Sequence, residues 1–357
     1  MQIGAAVSPY QHFGFCRCDL PDEPGAHHLL FYEEDLDLAR RLGLDAFRTG
    51  VEWALVETRE GEYNRESIRL FSDYLASIKR RGLKTWVSLH HFTNPRWVWK
   101  HGGWESRHVA RRFVQYVELV ARELGGLIDV ALLFNEPNMY TFLAYIRGDL
   151  PPYGFLSPRH MRRALENIKR AILEARDVVK SYGVAVSFTH SYTKIESRNI
   201  VFKAVSFFLN RQHIEYMQMF KEMDYTSLNY YVVGRYEDLA LRFIYRPAAL
   251  LEVKSPTPLA VTEFGIATRD ERTRYSYLCA MAHVLKRAKP VAAIWWSFLH
   301  GYEWGLGYQP FFALVDVVGT RRVPTELAKK FRQTLENPPE CPLEERNAGL
   351  EWRWEPL

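Results

Sequence analysis

The chain lacks several things that would place it elsewhere. In its 357 residues there are only four cysteines, no run of 18 or more apolar residues free of charge, no block of like charge and no low-complexity tract. Without a long apolar run, no membrane-spanning helix is expected. The net charge of +5 is spread over both signs along the chain, so no nucleic-acid footprint is expected either. The opening MQIGAAVSPY has no basic start followed by an apolar stretch; no secretory leader is expected there, and it reads directly as a first strand. Cys16 and Cys18 are too close in sequence for an unstrained mutual disulfide. With His12 nearby they suggest a metal, but the paired spacing of such sites is missing. The cysteines therefore form no framework, and a reduced, cytoplasmic setting is expected. Arginine far outnumbers lysine and glutamine is scarce, which points to a heat-adapted source.

What is present is a globular composition, 47% hydrophobic and 25% charged, long enough for a large core. Short apolar segments alternate with amphipathic ones from end to end. IGAAVS, DAFRTGV, LKTWVSLHH, DVALLFN, VAVSFTH, YTSLNYY, PLAVTEF and PVAAIWWSF read as strands. Seven of the eight are followed by a helical pattern, and the sixth by an irregular piece to about 254. The strands are apolar on both faces, as buried parallel strands are. Eight such units predict a (β/α)8 barrel over residues 1–336, ahead of a doubly wound sheet. The tail over 337–357, rich in proline, glutamate and tryptophan, is expected to pack on the barrel or at an interface.

In such a barrel the chemistry lies at the C-terminal strand ends. Strand one leads to Gln11 and strand two to Arg48. Strand three leads to His90 and His91, strand four to Asn135 and Glu136, and strand five to His190. Strand six leads to Asn229 and Tyr231, strand seven to Glu263, and strand eight to Trp296 followed by Glu303 and Trp304. A carboxylate at the end of a buried run such as LLFNEP is costly to desolvate unless something uses it. Two facing carboxylates, with aromatic platforms and amide donors, suit a sugar. One carboxylic acid can protonate a glycosidic oxygen while the other meets the anomeric carbon, and a gap of about 5–5.5 Å between them makes the second a nucleophile. Taken singly these residues have plainer uses: Glu136 as a helix-start carboxylate, Glu263 and Arg48 as a structural ion pair, Gln11 and His91 as satisfied core polars. His90 and His190 read as structural.

LFNEP, VTEFG, SPYQ, FRTGVEW, LHHFTNPRW, SLNYY and WWSFLHGYEWGLGY occur in that family's order within residues 1–336 and together resemble family 1 of the glycoside hydrolases, the β-glucosidase and β-galactosidase family; GVEW and HHFTNPRW look most like archaeal members. The resemblance implies a retaining exo-β-glycosidase. Glu136 would be its acid/base and Glu263 its nucleophile. Asn135 would bind the 2-hydroxyl, and Arg48 and Tyr231, with Asn229, would support the carboxylates. Gln11, His91, Glu303 and Trp304 would hold the outer hydroxyls and Trp296 the floor of the sugar. No metal or organic cofactor is implied, since the two carboxylates supply the chemistry; the ligand is a small β-glycoside.

The chain departs from the family pattern at Phe264, Phe92, His300–Gly301 and Phe311–Leu314, which bears on sugar preference more than on the reaction. It is also shorter than usual, mainly after strands four, five and six, so a wider mouth is expected, fit for a bulky or amphiphilic aglycone. That mouth also admits a transglycosidase, whereas intact carboxylates argue against a silent sugar-binding protein. The apolar stretches AVSFFLN and LRFIYRPAALL are expected to be core, with a lipid-facing or oligomer-facing role as the alternative.

Overall fold

The structure is a computed structural model that describes residues 1–21, 25–197, 200–237, 240–340 and 350–352. Eight parallel strands close on themselves: β1 (Gln2–Ala6), β2 (Ala46–Gly50), β3 (Lys84–Ser88), β4 (Val130–Asn135), β5 (Ala185–Ser191), β6 (Thr226–Asn229), β7 (Leu259–Phe264) and β8 (Ala292–Trp296). Each bonds to its sequence neighbour, and β8 pairs with β1 to seal the seam. This is the expected (β/α)8 barrel. Its helices are α1 (His28–Arg41), α2 (Arg65–Arg80), α3 (Arg107–Leu124), α4 (Pro158–Ser181), α5 (Ile200–Phe220), α6 (Glu271–Ala288) and α7 (Glu326–Glu336).

The helices start where side chains can take up orphan amides. Asn64 accepts from Glu66 and Ser67 at the head of α2, Ser106 from His108 at α3, Asp270 from Thr273 at α6, and Thr325 from Ala328 at α7. The strands are buried on both faces and feed two apolar layers. Inside the barrel, Ala6, Ala46, Trp86, Val130, Leu132, Ala260, Ala292, Ile294 and Trp296 pack together. The larger core fills the space between strands and helices.

The region after β6 differs from the sequence expectation. The piece read as irregular contains two antiparallel strands, Val233–Glu237 and Ala240–Tyr245, and then a 3-10 turn, Pro247–Glu252, packed on α6. They pair with each other, and their outer ladder partners come from distant segments, Ile195–Ser197 on one side and Leu350–Trp352 on the other, so the local pattern does not announce the four-stranded sheet. The strand Leu350–Trp352 is the described part of the tail beyond residue 340. Of LRFIYRPAALL, Ile244, Tyr245, Ala249 and Leu250 are buried, in line with a core role, while Leu241 is exposed. In AVSFFLN, Ser206 is buried and Phe207 exposed; the side chains of Ala204, Val205, Phe208 and Leu209 lie outside the described residues.

The cysteine reading is corrected. Cys16 and Cys18 are joined. Arg17 between them takes a left-handed φ of 54°, and this folds the backbone so that the two Cα atoms stand 5.1 Å apart, within disulfide range. Cys279 is disulfide-bonded as well. Nor does His12 seek a metal: Nδ1 accepts from the Ser8 amide and Nε2 donates to the Leu299 carbonyl. Among the described residues no helix is long and apolar enough to cross a membrane.

Candidate active site

Two breaks in strand register build the site. Along β4, Val130 and Leu132 face the barrel interior, and strict alternation would send Phe134 the same way. The β4–β5 register shifts between Leu132 and Asn135. As a result Leu133 and Phe134 both pack outward, and Asn135 turns in. Glu136 follows with a left-handed φ of 43°, which brings a second consecutive polar side chain into the same cavity. On β7 the register shifts between Val261 and Glu263. There Thr262 and Glu263 both reach polar partners inside, while Val261 and Phe264 join the outer core. A one-residue bulge re-aims a side chain; here it does so once for each carboxylate.

Arg48, fully buried on β2, is the hub. One Nη1 bonds Glu263 Oε1 and, at 3.0 Å, the Thr262 carbonyl; Nη2 donates to Asn135 Oδ1 at 2.7 Å and to Ser88 Oγ at 3.2 Å. Tyr231 donates its hydroxyl to Glu263 Oε2 at 2.6 Å. Each Glu263 oxygen therefore has a donor. Asn229 donates to Glu136 Oε1 at 2.8 Å and is itself fixed by Thr262 Oγ1, also at 2.8 Å. Besides Arg48, Asn135 Oδ1 takes Asn229 Nδ2 at 3.1 Å and Thr189 Oγ1 at 2.6 Å, and the Glu136 amide donates to the Thr189 carbonyl at 3.0 Å. Burial, then the negative charge of Glu263, pushes the Glu136 carboxyl well above the ordinary carboxylate range.

The other wall is aromatic and amide. Trp296 donates to Glu303 Oε1 at 2.8 Å; Gln11 Nε2 donates to Glu303 Oε2 at 3.3 Å and to the Tyr302 carbonyl at 2.6 Å. Burial raises the Glu303 carboxyl to about 8. His91 lies parallel to Trp296, ring centroids 5.7 Å apart, and Trp304 stacks on Tyr10 at 5.1 Å. The β8 loop can come this close to Gln11 only because residue 301 is glycine: a Cβ there would lie 2.5 Å from the Gln11 carbonyl oxygen.

Eleven of the thirteen strand-end residues singled out in the sequence line this connected network. His90 and His190 do not: His90 bonds Asn94, and His190 bonds His213 behind the strands. Thr189, Thr262, Ser88, Ser8 and Tyr10 were missed. Each is a small hydroxyl or a ring that positions another side chain, and the one sequence signal was polar residues interrupting otherwise apolar strands. Two of the family departures prove local. Phe264 is wholly buried against Trp295, away from the cavity, whereas Phe92 packs at 5.2 Å on Trp304 at the aromatic wall.

Glu52 of the GVEW segment is a further buried acid. It accepts from the Ala54 amide and from Thr93 Oγ1, yet burial, reinforced by Asp19, raises it to about 7. An acid raised on folding stabilises the folded state fully below its unfolded value, and that contribution is lost as pH climbs through the folded value. Glu52→Gln should therefore flatten the fall in stability between about pH 5 and pH 7 by up to one proton, roughly 1.4 kcal/mol per pH unit. Urea midpoints across that range test it; parallel curves for the two proteins would refute it.

A closed parallel barrel with two buried carboxylates on β4 and β7, facing amide and indole groups, defines a protein of the glycoside hydrolase class. The family model for glycosyl hydrolase family 1 matches residues 18–256, about two thirds of the chain and ending before Glu263, and the chain belongs to that family. It is similar to the galactolipid galactosyltransferase SFR2 of Arabidopsis thaliana, with 25% identity over 85% of this chain and 55% of that protein. It is also similar to the β-galactosidase of Pyrococcus woesei, with 22% identity over 91% and 88%. The chain spans about half the length of the first curated relatives it matches. Among solved structures, the β-glycosidase from Pyrococcus horikoshii superposes with a TM-score of 0.84 at 22% identity over 94% of this chain and 93% of that one, a likeness of fold.

Proposed function

We propose that the protein is a retaining exo-β-glycosidase that hydrolyses β-glucosides or β-galactosides by double displacement. The observation that carries this is the asymmetry between the two acids: Glu263 is held by Arg48 and Tyr231, while Glu136 is buried with a neutral amide and raised. Glu263 is then the nucleophile that bonds the anomeric carbon, and Glu136 gives its proton to the departing oxygen. When the glycosyl-enzyme forms, the Glu263 charge is gone, the Glu136 carboxyl falls back, and it can take a proton from water. Asn135 meets the 2-hydroxyl, Trp296 the sugar face, and Gln11, His91, Glu303 and Trp304 the outer hydroxyls. The site calls for no cofactor, and a cytoplasmic setting fits a heat-adapted source, where intracellular disulfides are common. A panel of nitrophenyl β-glycosides, with the first-formed anomer followed by NMR, tests the reading. A β-product is expected; an α-product, or no turnover of any member, would refute it.

A second reading, transfer of the sugar to an amphiphilic alcohol, rests on the connection between β4 and α4. Phe155 and Leu156 there are 72% and 66% exposed, beside exposed Tyr153. Tyr153 and Leu156 both take left-handed φ values, 58° and 47°, that such residues ordinarily avoid. Main-chain bonds from Gly154 to Ala144 and from Ser157 to Tyr145 hold the segment in place. The same connection places Asp149 against Gly305, next to Trp304, so an apolar platform borders the sugar site and suits a lipid-like acceptor or aglycone. With octanol and methanol offered at equal activity, the octyl glycoside should predominate, and Phe155→Ser with Leu156→Ser should remove that preference. An unchanged product ratio would sink this reading and leave hydrolysis intact.

A further inference from the structure

Away from the carboxylates, on the strand-end side of the barrel wall, Glu60, His101 and His108 converge. Glu60 Oε2 lies 2.8 Å from His101 Nε2, and Oε1 lies 2.5 Å from His108 Nε2. The two imidazoles are tilted by 46° with centroids 4.5 Å apart. Among the described residues this is the one group of three histidine, cysteine or acidic side chains whose ligand atoms all lie within 4.8 Å of one another. We propose that it is a divalent transition-metal site, best suited to Zn2+, that clamps two neighbouring loops together.

The three backbones are already fixed. Glu60 sits in a turn held by Glu57, whose carboxylate accepts from the Gly61 amide and pairs with Arg112. His101 ends a 3-10 helix, Arg96–His101, that is closed by Gly102 with a left-handed φ of 81°. His108 lies in the first turn of α3, and its amide bonds Ser106. Between them, Trp97 donates to the Glu57 carbonyl and packs edge-on against His101. The side chains converge because the scaffold aims them, and pre-aimed donors lose little freedom on binding an ion.

The donor set also fits the ion. Two imidazoles and one carboxylate are a recurrent Zn2+ set that leaves a fourth position for water. At the usual Zn–N and Zn–O lengths of about 2.0–2.2 Å, tetrahedral donors stand about 3.3 Å apart. The present separations need only a small outward rotation of half-exposed side chains. Facing a carboxylate, each Nε2 carries its ring proton; moving that proton to Nδ1 frees the lone pair without changing the charge of the ring. Two nearby guanidiniums are occupied elsewhere: Arg112 by Glu57, and Arg59 by Glu62 at 3.6 Å.

The loop that ends in this cluster begins at His91 and Phe92, on the sugar wall. An ion here would join the β2–α2 turn to the β3–α3 connection and stiffen the loop without touching the reacting atoms. This inference does not depend on the proposed reaction. The test uses the whole protein stripped with EDTA and then titrated with Zn2+. One ion per chain is expected by calorimetry, with a rise in melting temperature of about 3–4 °C at one hundred times Kd. Glu60→Gln and the double variant His101→Ala, His108→Ala should lose both signals. His160→Ala, an exposed histidine paired elsewhere with Glu105, should keep them. Far-UV circular dichroism and a cooperative melt serve as the check that each variant is folded. No saturable binding, or a thermal shift that survives in the double variant, would overturn the proposal.

Discussion

Glu263→Gly should lower turnover of aryl β-glycosides by roughly 10^4-fold or more, the scale on which loss of a nucleophile acts. The loss should come almost wholly in kcat, because the sugar-binding groups on the opposite wall remain. Added azide or formate should restore part of the rate. The small anion fills the space left by the carboxylate, between the Arg48 and Tyr231 donors, and bonds the anomeric carbon from that side, giving an α-glycosyl azide in the azide case. The variant keeps the fold if Arg48 finds other acceptors, and three are in place: the Thr262 carbonyl, Asn135 and Ser88. Activity surviving at more than about a tenth of the original, far above the residue left by other lost nucleophiles, would show that the chemistry lies elsewhere.

Glu136→Gln should separate substrates by leaving group. Alkyl glycosides, whose oxygen must be protonated as it leaves, should slow by about 10^2 to 10^4-fold, the usual worth of a general acid. Dinitrophenyl glycosides need no proton for the first step and should keep it. Their second step, which needs the same residue as base toward water, should stall, so a burst of phenolate and a lowered KM are expected. The alkaline limb of kcat/KM, placed above the ordinary carboxylate range by the raised Glu136, should vanish with it. Equal losses for both substrate classes would rule out the acid/base role.

Much of the site was legible because barrel topology converts sequence order into position. Eight apolar runs fix where eight strand ends lie, and the polar residues that follow them must gather at one rim. Glu136, Glu263, Arg48 and Asn135 were found in that way. What was illegible depends on register and on distant pairing. The shifts at Leu132–Asn135 and Val261–Glu263 leave no mark in composition, because a bulge is chosen by the whole barrel rather than by its own residues. Strict alternation would have sent Asn135 or Glu136 outward. The sheet that Ala240–Tyr245 joins extends past its hairpin with Val233–Glu237 to a far partner, Leu350–Trp352, which the local pattern does not announce. Sequence spacing argues against the join of Cys16 to Cys18, and that argument misses the one backbone angle at Arg17 that brings the two Cα atoms together. Glu60 is separated from His101 by helix α2 and strand β3, and His101 from His108 by a 3-10 turn, so their convergence is tertiary.

The contact of Gln11 with Tyr302 and Glu303, beside the β1–β8 seam, has a consequence for how the molecule is made. Residues about 290 apart in sequence meet at this wall, so on the ribosome no nascent chain can own a complete pocket until Glu303 has emerged. Such far-apart partners also make closure a slow, late event. Until then the half-ring of strands stays open, with both of its rims unpaired.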